Sequence, residues 1–205
     1  MGCDIHGVWQ AKVDGQWKDV ASTWDQDRHY LLFSWLADVR NGFGFAGIKT
    51  YDPVKPIADP RGLPADFVVD GEDHPTVLEA IDPRRVKYRE AGEPVQTWMG
   101  DHSHSWLTGE EILSSKRPGL THKTGVIDLA AFRKWKGGSP GEWCGGISGP
   151  GLVTSTPDTI DKNTTHVRIE WDEPDDGLDY FVDEVKRLAD LHGAANLRLV
   201  FGFDS

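Results

Sequence analysis

Near its C-terminal end the chain changes period, and this limits what it can fold into more than any other feature. Leu178, Phe181, Val182, Val185, Leu188 and Ala189 recur at helical steps, which places them along one face of an α-helix. His192-Gly193 reads as the stop. Beyond it Leu197, Leu199, Phe201 and Phe203 alternate, which places them on one face of a strand. A one-faced helix and a one-faced strand both have to remove their apolar side from water, and the arrangement that does so for both is a helix layer lying on a sheet.

The remainder of the chain supports that layering. Residues 3 to 20 read as a hairpin, with Val8, Trp9 and Val13 before Asp14-Gly15 as a type I′ turn and Trp17 and Val20 after it. In its first strand Asp4 and His6 share a face with Val8, while Cys3, Ile5 and Trp9 share the other. Asp27 is placed to cap a helix from Arg28 to Arg40 carrying Leu32, Trp35, Leu36 and Val39, which Asn41-Gly42 ends. Gly42-Phe43-Gly44-Phe45-Ala46-Gly47 has the letters of a dinucleotide fingerprint. It follows a helix where that motif follows a strand, so it reads as a loop.

Residues 52 to 66 hold four prolines and predict no regular structure. Val68-Val69 and Val77 to Ile81 read as short strands or helices, and Val86, Tyr88, Val95, Thr97 and Met99 as extended segments. Lys116 to Gly125 reads as a basic loop. Asp128 should cap a short helix with Leu129, Phe132 and Trp135, closed by Gly137-Gly138. Residues 137 to 163 are crowded with Gly, Pro, Ser and Thr, so 116–165 is expected to be a loop-rich insertion or lid. Val167, Ile169 and Trp171 alternate as a half-exposed strand. The expectation is one α+β domain over 1–205: a two-layer sandwich, mostly antiparallel, with helices on one face and long Gly/Pro-rich loops.

Twenty-two Lys and Arg against thirty-three Asp and Glu give 22 − 33 = −11 with His neutral. A surface this acidic repels nucleic-acid polymers and anionic membranes, and leaves a small nucleotide in a local basic pocket as the expected partner. A second copy of the chain is a further expected partner. Cys3 and Cys144 form no CxxC pair, so neither a disulfide framework nor a cysteine-rich zinc site is expected. No export signal or membrane span is legible, and His6 stands where a myristoylation motif needs Ser or Thr. A reducing cytoplasm is the natural setting.

The richest chemistry lies in Gly100-Asp101-His102-Ser103-His104-Ser105-Trp106-Leu107-Thr108-Gly109-Glu110-Glu111. On an extended backbone His102 and His104 point to the same side and can converge on one ion or substrate group. Thr108 and Glu111 have capping-box spacing, so the pair would stand beside a helix N-terminus able to hold an anion. Asp4 and His6 from the opening strand, with Asp101, His102 and His104, would supply the donors for Zn, Mn or Mg. His102, His104 and His6 are the candidate catalytic groups. Arg40, Arg61 and Thr108 are candidate anion contacts, and Trp98 and Trp106 candidate stacking partners for a base. Each also has a structural explanation: cap, core aromatic or surface salt bridge.

Met1-Gly2-Cys3-Asp4-Ile5-His6, Leu36-Ala37-Asp38-Val39-Arg40-Asn41-Gly42, Arg61-Gly62-Leu63-Pro64 and His102-Ser103-His104-Ser105-Trp106-Leu107-Thr108 resemble a family of uncharacterised tailed-bacteriophage proteins. Gly202 departs from the bulkier aromatic expected there. The resemblance implies phage origin and a host-cytoplasm setting, and no activity. The chemistry of the residues points first to a hydrolase of a phosphodiester or related bond in a small nucleotide, through a metal-activated water or a metal-free His acid–base pair. The alternatives are a protein that sequesters a host signalling nucleotide without turning it over, and a structural or host-protein-binding phage protein.

Overall fold

A computed structural model describes residues 2–44, 47–67, 99–174 and 177–204. The short elements expected between Val68 and Thr97, the candidate base contact Trp98, and Phe45-Ala46 of the glycine-rich loop lie outside these residues. The described elements are α+β. One sheet has strand order β2-β1-β7-β3 and is antiparallel throughout: β1 is Asp4–Val13, β2 Gln16–Asp19, β3 His102–Thr108 and β7 Leu197–Asp204. A smaller sheet has order β4-β6-β5, in which β4 (Leu120–Asp128) is antiparallel and β5 (Thr154–Ser155) parallel to β6 (His166–Pro174). The helices are α1 (Tyr30–Ala37), α2 (Gly109–Ser114), α3 (Leu129–Lys134) and α4 (Gly177–His192). No helix among the described residues is long and apolar enough to cross a membrane.

The hairpin forms as read. Val13 pairs with Gln16, and Asp14 and Gly15 both have positive φ, 51° and 82°, as a type I′ turn requires. The alternation of β7 also holds. Leu197, Leu199, Phe201 and Phe203 pack with Ile5, Trp9, Leu107 and the buried faces of α1 and α4 into the main core. The opposite face of β7 is covered too: Val200 packs with Phe67 and Met99, and Arg198 is 3 % exposed. Arg198 is satisfied by Gln10 Oε1 at 2.9–3.0 Å and Asp66 Oδ1 at 2.8 Å, with Trp17 stacked 4.2 Å from its guanidinium.

The start of α1 differs from the Asp27 reading. His29 is the N-cap, its Nδ1 accepting from the Leu32 amide at 3.0 Å, and Arg28 lies before the helix, gripping Asp4. Every residue from Leu31 to Ala37 is buried, so α1 is a core element with no solvent face. The basic loop expected from Lys116 to Gly125 is from Leu120 onward a strand, β4. Its Thr121, Gly125, Val126 and Ile127 are buried beside β6 and the loop around Cys144, which outweighs the polar appearance of His122-Lys123-Thr124. The expected lid is anchored as well: Cys144 exchanges backbone hydrogen bonds with Val126 at 2.7 and 3.0 Å, and Trp143 packs edge-on to Trp171 at 5.0 Å.

Glu184 of α4 ties the helix layer to the connection between β2 and α1. Its side chain is 4 % exposed, yet it accepts from Ser22 Oγ (2.7 Å), Thr23 N (2.8 Å), Thr23 Oγ1 (3.0 Å) and Arg187 Nε and Nη2 (2.7 and 2.8 Å). The Arg187 hydrogen bonds first, then those from Ser22 and Thr23, overcome the burial penalty and hold the carboxyl at about 2, below its ordinary 4.5. A depressed acid stabilises the fold above its unfolded value, and that contribution is lost as pH falls through about 2. The shift is worth roughly 3 kcal/mol. Glu184→Gln should therefore lose roughly 2–3 kcal/mol in urea unfolding at pH 7, with the gap to wild type closing as pH falls from 4.5 toward 2. A gap independent of pH would refute this account of the carboxylate.

Candidate functional site

The strand that carries the two central histidines decides which side chains reach the hollows of the surface. β3 joins β7 with His102 opposite Phe203 and Ser105 opposite Phe201. Three steps on one strand against two on the other make a β-bulge. Its extra residue is marked by Ser103, whose φ is 52°. The bulge cancels the alternation that would have put His102 and His104 on one side.

His102 lies on the helix side of the sheet, its ring stacked on Phe203 at 6.1 Å and its Nδ1 3.0 Å from Ser103 Oγ. His104 lies on the other side over Gly202, with Nε2 donating to the Gly100 carbonyl at 3.0 Å. His6 pairs with Gly202 across β1 and β7, so His6 and His104 flank the same glycine. The Met99 carbonyl fills the space between them: a Cβ on Gly202 would stand 2.0 Å from it and 2.6 Å from His104 Cδ2. Position 202 therefore has room for a glycine and not for a larger residue. His6 Nε2 is 3.3 Å from Asp204 Oδ2.

The other sequence candidates are similarly engaged. Arg28 grips both oxygens of Asp4, at 2.8 Å for the Nη2–Oδ2 contact, and this hydrogen bonding lowers the Asp4 pKa. Asp101 is exposed, with its amide donating to the Phe203 carbonyl at 2.6 Å. Thr108 and Glu111 make the reciprocal capping box as read. Burial opposes the Glu111 charge, but Arg61 and the Thr108 amide outweigh it and hold the pKa down. The carboxylate at this helix start is thus the protein's own. Arg61 pairs with Glu111 at 2.5 Å and lies 5.1 Å over the Trp106 ring, so both residues serve an internal stack. Among the described residues, no three His, Cys, Asp or Glu side chains stand close enough to share a metal ion.

One hollow, of about 440 Å³, does join the opening segment to His102, and its lining includes Cys3, Arg40, Ser103, Asp38 and Asp59. Arg40, Asp38 and Ser103 all have positive φ, 55°, 60° and 52°, and such strain gathers where the surroundings over-determine the backbone. Arg40 donates to the Gly2 carbonyl at 3.3 Å and sits 5.5 Å over the Tyr30 ring. Cys3 is 1 % exposed, and burial raises its pKa more than Arg40 lowers it, so the thiol is a poor nucleophile.

The second hollow is a cleft of about 680 Å³ between α1, the loop at 54–57 and the connection from α2 to β4, walled by Trp35, Val54 and Ile57 and rimmed by Lys55, Lys116 and Arg117. Its lining contains no Asp, Glu, His or Cys. Arg117 Nη1 contacts Asp179 outside the lining, and Ser115 Oγ donates to the Glu111 carbonyl at 2.7 Å. The sequence flagged this stretch only as basic. Its cations were not joined to Lys55, because nothing in the spacing brings 55 and 116 together. The third hollow, of about 240 Å³, is bounded by the N-terminus of α1, β4 and Trp143.

No protein-family model, no curated protein and no solved structure matches the chain.

The Gly202 crossing carries its own test. Gly202→Ala should destabilise the fold by about 1–3 kcal/mol, the usual scale for forcing atoms into a packed site, measured by thermal unfolding. An unchanged midpoint would mean that Met99 does not cross the strand there.

Proposed function

We propose that the protein is a binding protein for a small anionic ligand of the nucleotide class, which it holds without turning over. The observation that carries this reading is the 680 Å³ cleft: three cations on its rim and no carboxylate in its lining, on a chain of net charge −11. Its volume falls within the roughly 300–1,000 Å³ typical of small-molecule sites. A cation cluster in an otherwise repulsive field attracts phosphates locally and leaves polymers excluded. Val54 and Ile57, half-buried beside the fully buried Trp35, suit a flat apolar group, and the lining offers no His, Asp, Glu, Cys or Tyr to act as a general base. A phage setting, with a host signalling nucleotide as ligand, is the biological form of this proposal.

One contact favours the hydrolytic reading instead. His6 and Asp204, each 30 % exposed and 3.3 Å apart, form the kind of pair in which a carboxylate orients an imidazole for proton transfer. A divalent ion would have to draw on His6, Asp204 and residues beyond the present convergence, because Asp4 is committed to Arg28 and His102 and His104 face apart.

A single experiment separates the readings. Purified protein is titrated calorimetrically with cyclic dinucleotides and mononucleotides, and the mixtures are chromatographed with and without EDTA. The expected result is saturable binding that weakens with salt, indifference to EDTA, and intact ligand recovered after heat denaturation. Lys55→Ala/Lys116→Ala should bind at least about tenfold more weakly, as the loss of charge-assisted contacts implies. New products would favour the hydrolase. No binding to any nucleotide would move the protein to a structural or host-protein-binding role.

A further inference from the structure

The 240 Å³ pocket lies next to the cleft along the seam between α1 and β4, but its chemistry is different and stands independently of the reading above. Four segments build it: Arg28 to Leu31 at the start of α1, Gly44 with Thr50 and Tyr51 from the chain after α1, Thr121 and Lys123 on β4, and Trp143 from the loop after α3. Thr121 is 3 % exposed. It forms part of the pocket wall, and its Oγ1 has no hydrogen-bond partner among the described residues. A buried hydroxyl in that state carries an uncompensated desolvation cost that a bound acceptor would remove.

The other polar groups around it are also donors. In the first turn of α1 the Leu32 amide is taken by His29, while the Tyr30 and Leu31 amides have no acceptor within the helix. The partial positive charge of that helix end adds to theirs. Lys123 Nζ gives one contact to Glu173 at 2.8 Å, and Arg28 gives Nε and one Nη2 hydrogen to Asp4. Each keeps further N–H groups. The two carboxylates thus offset the cations and leave a donor-rich neutral site. Trp143 is 39 % exposed, which leaves part of its ring for an apolar body. Tyr51 walls the other side, its hydroxyl held by Ser34 at 2.7 Å.

We infer that this pocket is a second ligand site, specific for the phosphate oxyanion of a small phosphomonoester whose apolar body rests against Trp143. Donors reach it from α1, from β4 and from the Arg28 side chain, an arrangement suited to a tetrahedral oxyanion more than to a planar carboxylate.

The probe is phenyl phosphate, titrated into the full-length protein by calorimetry and by tryptophan fluorescence, with benzoate as the planar control. Wild type should bind phenyl phosphate saturably and benzoate at least fivefold more weakly, about 1 kcal/mol. Thr121→Val keeps the shape and removes only the hydroxyl. It should fold with a midpoint no lower than wild type and bind at least fivefold more weakly. Lys123→Gln, a change at a half-exposed position, gives the same loss of affinity if the valine variant does not fold. Lys55→Ala/Lys116→Ala should bind phenyl phosphate as wild type does, which separates this pocket from the cleft. The assignment is overturned by no saturable binding, by equal benzoate affinity, by unchanged affinity in the folded Thr121 or Lys123 variants, or by a loss confined to the Lys55/Lys116 variant.

Discussion

The seating of β3 on β7, with one residue more on β3 than its partner can match, is the constraint from which the rest of this surface follows. Because Ser103 takes up the excess at positive φ, His102 is delivered to the core side and His104 to the far side. The same join brings Gly100 and Met99 across the end of β7, where only a glycine at 202 leaves room for the Met99 carbonyl. It also sets where β3 ends, and so where Thr108 and Glu111 open α2. A bulge beside a strand end re-aims side chains. Here it splits a pair that an ideal strand would have united.

Two buried charges fix the connections around that sheet. Glu184 collects the loop before α1 onto α4, and Arg198 collects Gln10, Asp66 and Trp17 on the opposite face. Both are satisfied by several partners, the condition under which a buried charge is tolerated. Removing either partner set would leave the charge uncompensated. With these residues, Asp4 and Glu111 internally paired, much of the charge chemistry visible in the sequence is architectural. The cleft edged by Lys55, Lys116 and Arg117 differs because its lining holds no acid, the Asp179 that pairs with Arg117 lying outside it.

What could be read from the sequence was what local chemistry decides. The Asp14-Gly15 turn, the Thr108/Glu111 capping box, the Asp128 cap and the alternation of β7 each depend on residues a few positions apart, and each formed as read. What could not be read depends on distant partners. Whether His102 and His104 agree in direction is decided by the register against β7, nearly a hundred positions away, and a bulge leaves no mark in residue type when the extra residue is Ser. β4 looks polar because its burial comes from β6 and the Cys144 loop, and not from its own alternation. Arg28, read as the first helical residue, instead pairs with Asp4 across 24 positions, and His29 caps α1 in place of Asp27. The cleft was missed for the same reason, since its cations come from segments that no periodicity connects.

The proposed ligand chemistry resides in the cationic cleft and not in the paired imidazoles, which face apart. Assigning the imidazole and basic side-chain NMR signals and adding a cyclic dinucleotide distinguishes the two. Binding in the cleft requires shifts at Lys55, Lys116 and Arg117, with the rings of His102 and His104 undisturbed. Simultaneous shifts of both rings, with the three cations silent, would contradict it.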